Sequence, residues 1–221
     1  MSSEASQAVD WWNPAATLIA AFGGTFFALL LEKFRRKREE IERQLSAARR
    51  AVFVISDMWS FVIQHRTDIV EPWIGKDDAW LNMEISNISN WKVMQIDDSS
   101  LAYILDSSEA NFFQELLMEG RRFDDFQSII ARRDATILDR VFPALGAAIP
   151  VGGQISQAEF AKLLGHNTEH ELKILTEGIF RKSEDLAKSL PLAKDKFRDV
   201  IAKIHPERKI INFVLDPEVS K

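Results

Sequence analysis

A stretch of 21 residues near the N-terminus, from 11 to 31, contains no charged side chain. As a helix rising 1.5 Å per residue it would be about 31 Å long, close to the hydrocarbon core of a bilayer. Trp11 and Trp12 open the stretch, where an interfacial aromatic belt is expected, and Asn13-Pro14 is typical of a helix start. The sequence therefore predicts a single transmembrane anchor over residues 11–31.

The charges on the two sides of this stretch predict its orientation. Residues 1–10 hold two acidic and no basic side chains, whereas residues 32–50 hold eight basic and four acidic ones. Basic clusters beside an anchor stay in the cytoplasm. We therefore expect an uncleaved anchor in the plasma membrane, which is the inner membrane in a bacterium, with a short extracytoplasmic tail (1–10) and everything after residue 32 in the cytoplasm.

The basic cluster itself comprises Lys33, Arg35, Arg36, Lys37 and Arg38. Contact with anionic lipid is one interpretation, and a purely topological signal is the simpler alternative. A nucleic-acid partner is not expected, because residues 51–221 hold 20 basic and 27 acidic side chains and would repel phosphates.

Small residues recur along the predicted anchor at four-residue spacing: Ala16, Ala20, Gly24 and Ala28. Small side chains on one helix face allow the backbones of two helices to approach closely in lipid. The stripe predicts a homo-oligomer, with ordinary anchor composition as the alternative explanation.

Apolar residues continue past the basic cluster at alternating steps of three and four, from Phe27 to Val62, and no glycine or proline interrupts residues 25–71. This spacing predicts one helix from Pro14 to about Ile69, which includes a juxtamembrane helix over 32–70. Its second half suits packing into a bundle formed by its own chain.

Helical periodicity after residue 98 predicts that the body over 71–221 is a cytoplasmic bundle of four or five helices, so the fold class is all-α with a transmembrane helix that continues into the bundle. We expect a helix over 109–142, a linker over 143–155, a helix opened by a capping box at Ser156 and Glu159, and a last helix from Pro191. The run 210–215 is predicted as a strand or a strap. The charged residues of helix 109–142 are expected on its solvent face: Arg121, Arg122, Asp124, Asp125, Arg132, Arg133 and Asp134.

The connection over 71–98 contains Trp73, Trp80 and Trp91. Large aromatic side chains are most often buried, so the favoured interpretation is that they close one end of the bundle. A ligand-stacking or membrane-skimming surface is the alternative.

One motif has a catalytic precedent. His166, Glu169 and His170 fit H-x-x-E-H, which inverted zinc peptidases place on a helix. The face that carries both histidines continues through Lys173 and Glu177, opposite the leucine stripe, so we expect solvated side chains and only a weak candidate metal site. The chain has no cysteine, no Walker loop and no G-x-G-x-x-G, so no cofactor is expected.

These features predict a non-enzymatic, membrane-anchored interaction or sensor protein that self-associates through its anchor and binds an unknown cytoplasmic protein. The alternative is a membrane-perturbing effector of bacterial self-killing or phage defence, triggered by oligomerisation. A metallopeptidase is a weak third hypothesis.

Overall fold

The computed structural model describes residues 12–86, 94–148 and 156–207, with the backbone alone for residues 12–20, Ala148 and Gln157. The described residues form helices and no strand, which confirms the all-α prediction. The helices are α1 (Trp12–His65), α2 (Ala79–Asn82), α3 (Asp98–Leu101), α4 (Ala110–Thr136), α5 (Phe142–Ala148), α6 (Gln157–Leu164) and α7 (His166–Ile204). The chain divides into two units, one ending at Ser46 and the other beginning at Ala47.

Among the residues that the structure describes, no helix is both long enough and apolar enough to cross a membrane. Several sequence predictions fall outside the described residues. They are the tail 1–10, Trp11, the side chains of Ala16 and Ala20, Trp91, the linker residues 149–155 and the apolar run 210–215.

The predicted long helix is present as α1, and its end differs in detail from the prediction. A π-helical turn, Arg66–Val70, and a 3-10 turn, Glu71–Trp73, follow His65 directly. Pro72 therefore lies within helical backbone. It is tolerated there because the first turn of a helix does not use the backbone donor that proline lacks.

The core of the second unit forms where the later part of α1 packs with α4 and α7. Val52, Ile55 and Val62 of α1 are buried. The ring of Phe61 contacts that of Phe123 edge-on, with centroids 5.7 Å apart, and Phe112 stacks on Phe197 at 5.9 Å. The predicted packing of this part of α1 into its own bundle is confirmed.

The helix predicted over 109–142 extends further than expected. A π-helical turn, Ile137–Val141, joins α4 to α5, and α5 continues to Ala148. The first six residues of the predicted linker, 143–148, are therefore helical. Pro143 is accommodated because it lies in the first turn of α5.

The prediction of a helix start at Pro191 is wrong. The capping box of Ser156 and Glu159 opens α6 as predicted, and the break comes at Gly165, whose φ of 77° lies in the left-handed region. Pro191 lies inside α7 and cannot donate to the carbonyl of Ala187. The indole Nε1–H of Trp59 donates to that carbonyl instead, at 3.3 Å.

Candidate functional site

The part of α1 just before the basic cluster exposes large apolar side chains. Five of them, together with Phe34 inside the cluster, have 60% or more of their surface exposed: Phe22, Phe26, Phe27, Leu29, Leu31 and Phe34. Contiguous exposed apolar surface of this kind marks a site of contact with a membrane or another protein. This surface is the first element of the candidate site.

The small-residue stripe is accessible where its side chains are described. Gly24 and Ala28 are exposed, and a Cβ added at Gly24 would meet no atom within 4 Å. A Cβ added at Gly23, which lies next to the stripe, would also meet no atom within 4 Å. The helix of a single chain therefore has room for a larger side chain at either glycine.

The basic cluster is exposed, and two of its five members form ion pairs with neighbouring acids. Arg35 and Arg36 approach the carboxylate of Glu32 at 3.1 and 2.7 Å, and Arg35 also lies 3.5 Å from Glu39. The hydrogen bond from Arg36 is the main reason that the pKa of Glu32 is lowered. Glu32 therefore keeps its negative charge beside the two arginines.

The strongest polar feature of the second unit is a buried arginine on α4. Arg133 is fully buried and donates to the carbonyl oxygens of Met83 and Glu84, at 2.6 and 3.2 Å, and to Thr176 Oγ1 at 3.2 Å. Burial lowers its pKa to about 10, and the nearby Asp134 carboxylate opposes that shift. The guanidinium therefore connects α4, α7 and the irregular segment 83–86.

The prediction that Arg133 and Asp134 lie on the solvent face is wrong, since both are buried. The segment 83–86 crosses this face of α4, and its main-chain carbonyls need hydrogen-bond donors once water is excluded. The sequence held a signal for this burial, because positions 133 and 134 continue the apolar series of Phe126, Ile130 and Ile137 at steps of three and four.

A histidine and a serine extend this cluster. His65 Nε2 lies 2.8 Å from Ser86 Oγ, and the Ser86 main-chain N–H donates to Asp134 Oδ2 at 3.0 Å. Burial, with a smaller contribution from the charge of Arg133, lowers the pKa of His65 to about 4. The imidazole is therefore neutral at pH 7.

A serine–histidine contact can serve nucleophilic catalysis when a carboxylate orients the imidazole. Here Asp134 binds the main chain of Ser86, and His65 Nδ1 has no hydrogen-bond partner among the described residues. The rings of Phe61 and Phe126 lie against the imidazole, with centroids 6.0 and 5.5 Å away. This geometry fits a role in holding the segment 83–86 in place.

The H-x-x-E-H residues lie in the first turns of α7. His166 and His170 are exposed, with stacked rings 6.0 Å apart between centroids, and Glu169 accepts a hydrogen bond from Lys173 at 2.6 Å. That bond is the main cause of the lowered pKa of Glu169. Within the described ranges, no group of three or more His, Cys, Asp or Glu side chains could hold a metal ion.

The tryptophans of the connection have different environments. Trp80 is buried in a cluster with Ile137, Val141, Phe160 and Leu172, so the core interpretation is confirmed for it. Trp73 is half-buried, with Lys76 Nζ 4.5 Å from its ring centroid.

An open groove of about 480 Å³ lies beside the Trp80 cluster. Its walls come from α2, α5, α6 and the π-helical turn before α5, and Phe142 at its edge is half-exposed. Asp78 and Asn82 supply the polar part of its rim.

Comparison with known proteins adds no assignment. No family model matches the chain, and no curated protein or solved structure is significantly similar to it.

Proposed function

We propose that this chain is a non-enzymatic, single-pass membrane protein. In this proposal residues 11–31 span the plasma membrane, residues 1–10 face outwards and the residues after 32 lie in the cytoplasm. One observation carries the proposal. Exposed phenylalanine and leucine side chains of α1 are followed at once by the exposed basic cluster, Lys33 to Arg38. Apolar surface that ends at a row of cations is typical of the cytoplasmic end of an anchor.

The anchors of two or more copies associate, in our proposal, through the small-residue stripe. Gly24 and Ala28 are exposed on α1, so a second helix can approach the backbone there. Association in lipid depends on such close packing, because the lipid tails are as apolar as the side chains.

The helical body then acts as the part that binds a cytoplasmic protein. Its acidic balance favours a partner with a basic surface, and the groove beside Trp80 offers apolar contact area. Clustering of anchors would bring several bodies together and increase the avidity for a multivalent partner.

Crosslinking in membranes tests the association directly. The chain contains no cysteine, so Ser3→Cys introduces a single thiol in the predicted outer tail. Oxidation of isolated membranes that contain the full chain should give a disulfide-linked dimer. Extraction of the same membranes with alkaline carbonate should leave the protein in the membrane pellet.

A glycine pair supplies the variant and its control. Gly24→Leu fills the stripe and should reduce the dimer several-fold, whereas Gly23→Leu lies off the stripe and should leave most of it. A Cβ added at either glycine meets no atom of the same chain within 4 Å, so neither change should disturb the single helix. Equal crosslinking of both variants and the parent would contradict association through the stripe.

The effector alternative shares the anchor and differs in its consequence for the bilayer. An effector should collapse the membrane potential on assembly, and Gly24→Leu should restore the potential. A tether that only gathers partners should leave the potential unchanged at every expression level. Potential-sensitive dyes in cells that express the full chain distinguish the two functions.

A further inference from the structure

The basic cluster is not uniform around the helix. At about 100° per residue, Lys33, Phe34, Lys37 and Arg38 occupy one sector of roughly 140°. Arg35 and Arg36 lie on the other side, together with Glu32 and Glu39, the acids with which they pair. One side of α1 therefore carries compensated charge and the other carries uncompensated cations.

The two lysines are the clearest members of the uncompensated side. Lys33 and Lys37 are exposed, are four residues apart, and form no ion pair with any described residue. Residues at this spacing lie about 5–6 Å apart on a helix surface. Glu40, the nearest acid on that side, is engaged by Arg43 at 3.1 Å and by Gln44 at 3.1 Å.

An exposed apolar side chain lies within the same sector. Phe34 is 68% exposed and continues the apolar series of Phe27 and Leu31. A phenylalanine flanked by cations is the arrangement that interfacial helices use, with the ring among the acyl chains and the cations at the headgroups.

We propose that Lys33 and Lys37 form a binding site for the phosphate of an anionic phospholipid headgroup, and that Arg35 and Arg36 contribute little to it because they pair with Glu32 and Glu39. This inference rests on the proposed membrane anchor. It adds the class of lipid that is bound. It also distinguishes the lysine pair from the arginine pair, which has the same formal charge.

Charge complementarity and position identify the occupant. The site follows directly on the apolar segment, so a membrane-embedded α1 would hold the lysines at headgroup depth. Each basic side chain near an anionic surface favours binding by a factor of about five, and the attraction is lost beyond a Debye length.

Lipid selectivity can be measured on the full chain in bilayers. The protein is reconstituted in phosphatidylcholine with a trace of spin-labelled phosphatidylglycerol or spin-labelled phosphatidylcholine. Electron paramagnetic resonance then gives the fraction of each label that the protein immobilises. The parent chain should prefer phosphatidylglycerol by about fivefold or more, and the preference should fall at high salt.

Two double variants remove the same formal charge from different sides of the helix. Lys33→Gln with Lys37→Gln should remove most of the preference and leave only the part due to Arg38, while Arg35→Gln with Arg36→Gln should leave most of it. Glu32→Gln frees Arg36, leaves Arg35 beside Glu39, and should raise the ratio above that of the parent. All five side chains are exposed or half-exposed, so the helix should tolerate each change.

Equal loss of selectivity in both double variants would overturn the site and leave a diffuse effect of net charge. Failure of the proposed function would look different. Neither spin label would be immobilised, because the chain would not be in the bilayer, whereas failure of the lipid site alone would give immobilised lipid with a ratio of one in the parent.

Discussion

The indole N–H of Trp59 donates a hydrogen bond to the main-chain carbonyl of Ala187, the carbonyl that Pro191 leaves without its helical donor. An acceptor near the core that loses its partner costs about 1–3 kcal/mol. Trp59 therefore stabilises a turn of α7 that lacks one of its backbone hydrogen bonds. Lys194 Nζ lies 5.8 Å from the centroid of the same indole ring.

Trp59→Phe should lower the free energy of unfolding by about 1 kcal/mol or more, because the ring remains and the donor is lost. In a Pro191→Ala background the new backbone N–H can donate to Ala187, and the same change at Trp59 should cost about 1 kcal/mol less. Urea unfolding of the full chain in detergent micelles, followed by circular dichroism, measures this cycle. Additive effects of the two substitutions would contradict the shared acceptor.

Arg133→Met should destabilise the protein by about 3 kcal/mol or more. It removes the donors to the carbonyls of Met83 and Glu84 inside the core. Arg132→Met is the matched control, because Arg132 pairs with Glu171 at the surface and its side chain is 67% exposed. The control should cost about 0.5 kcal/mol or less. Similar unfolding midpoints for the two variants would show that Arg133 does not support the segment 83–86.

His65 should make stability depend on pH. Its pKa is about 4 in the folded protein against about 6.5 for a solvated imidazole, so the unfolded chain binds more protons between these values. The contribution of His65 to the free energy of unfolding is fully present above about pH 6.5 and is lost as the pH drops towards 4. Because of this residue, the free energy of unfolding should be about 1 kcal/mol lower at pH 5.5 than at pH 7.5.

His65→Gln should remove that part of the pH dependence while it keeps a polar partner for Ser86. His166→Gln, at an exposed position on α7, serves as the control and should retain the parental difference. An unchanged difference in His65→Gln would assign the effect to other groups.

Gly165→Ala should destabilise the junction of α6 and α7 by about 2 kcal/mol, because φ 77° and ψ 150° are accessible to glycine and strained for alanine. Gly178→Ala, inside α7, should have the opposite sign or no effect. Its new Cβ would meet Ile129 at 3.7 Å, an ordinary contact, and alanine favours helix by about 1 kcal/mol. Thermal unfolding of both variants compares the two sites, and equal behaviour would exclude backbone strain at Gly165.

The helices that depend on local pattern could be predicted from the sequence. The step of three and four residues located the core of α1 and α4, and the capping box located the start of α6, since both signals lie within a few turns. The helix start predicted at Pro191 was wrong because the donor that compensates for the proline, Trp59, lies 128 residues before the acceptor, Ala187.

The buried polar cluster could not be predicted from the sequence for the same reason. The carbonyls that Arg133 binds lie 49 and 50 residues before it, in a segment without a periodic pattern. A charged residue in an apolar series is usually assigned to solvent, because its cost in a core is high until specific partners are known. The pairing of Arg35 and Arg36 with Glu32 could have been predicted, because spacings of three and four residues bring these side chains together on a helix.

The orientation of residues 11–31 in a membrane tests the central claim most directly. Single cysteines at Ser3 and at Ser99, in an otherwise cysteine-free chain, can be labelled in intact cells with a maleimide that does not cross membranes. If residues 1–10 face outwards, we expect the thiol of Ser3→Cys to be labelled in intact cells. The thiol of Ser99→Cys, in the cytoplasm, should be labelled only after lysis. Labelling of Ser99→Cys in intact cells would contradict the proposed orientation. Recovery of the chain in the supernatant after alkaline extraction of the membranes would contradict the anchor itself.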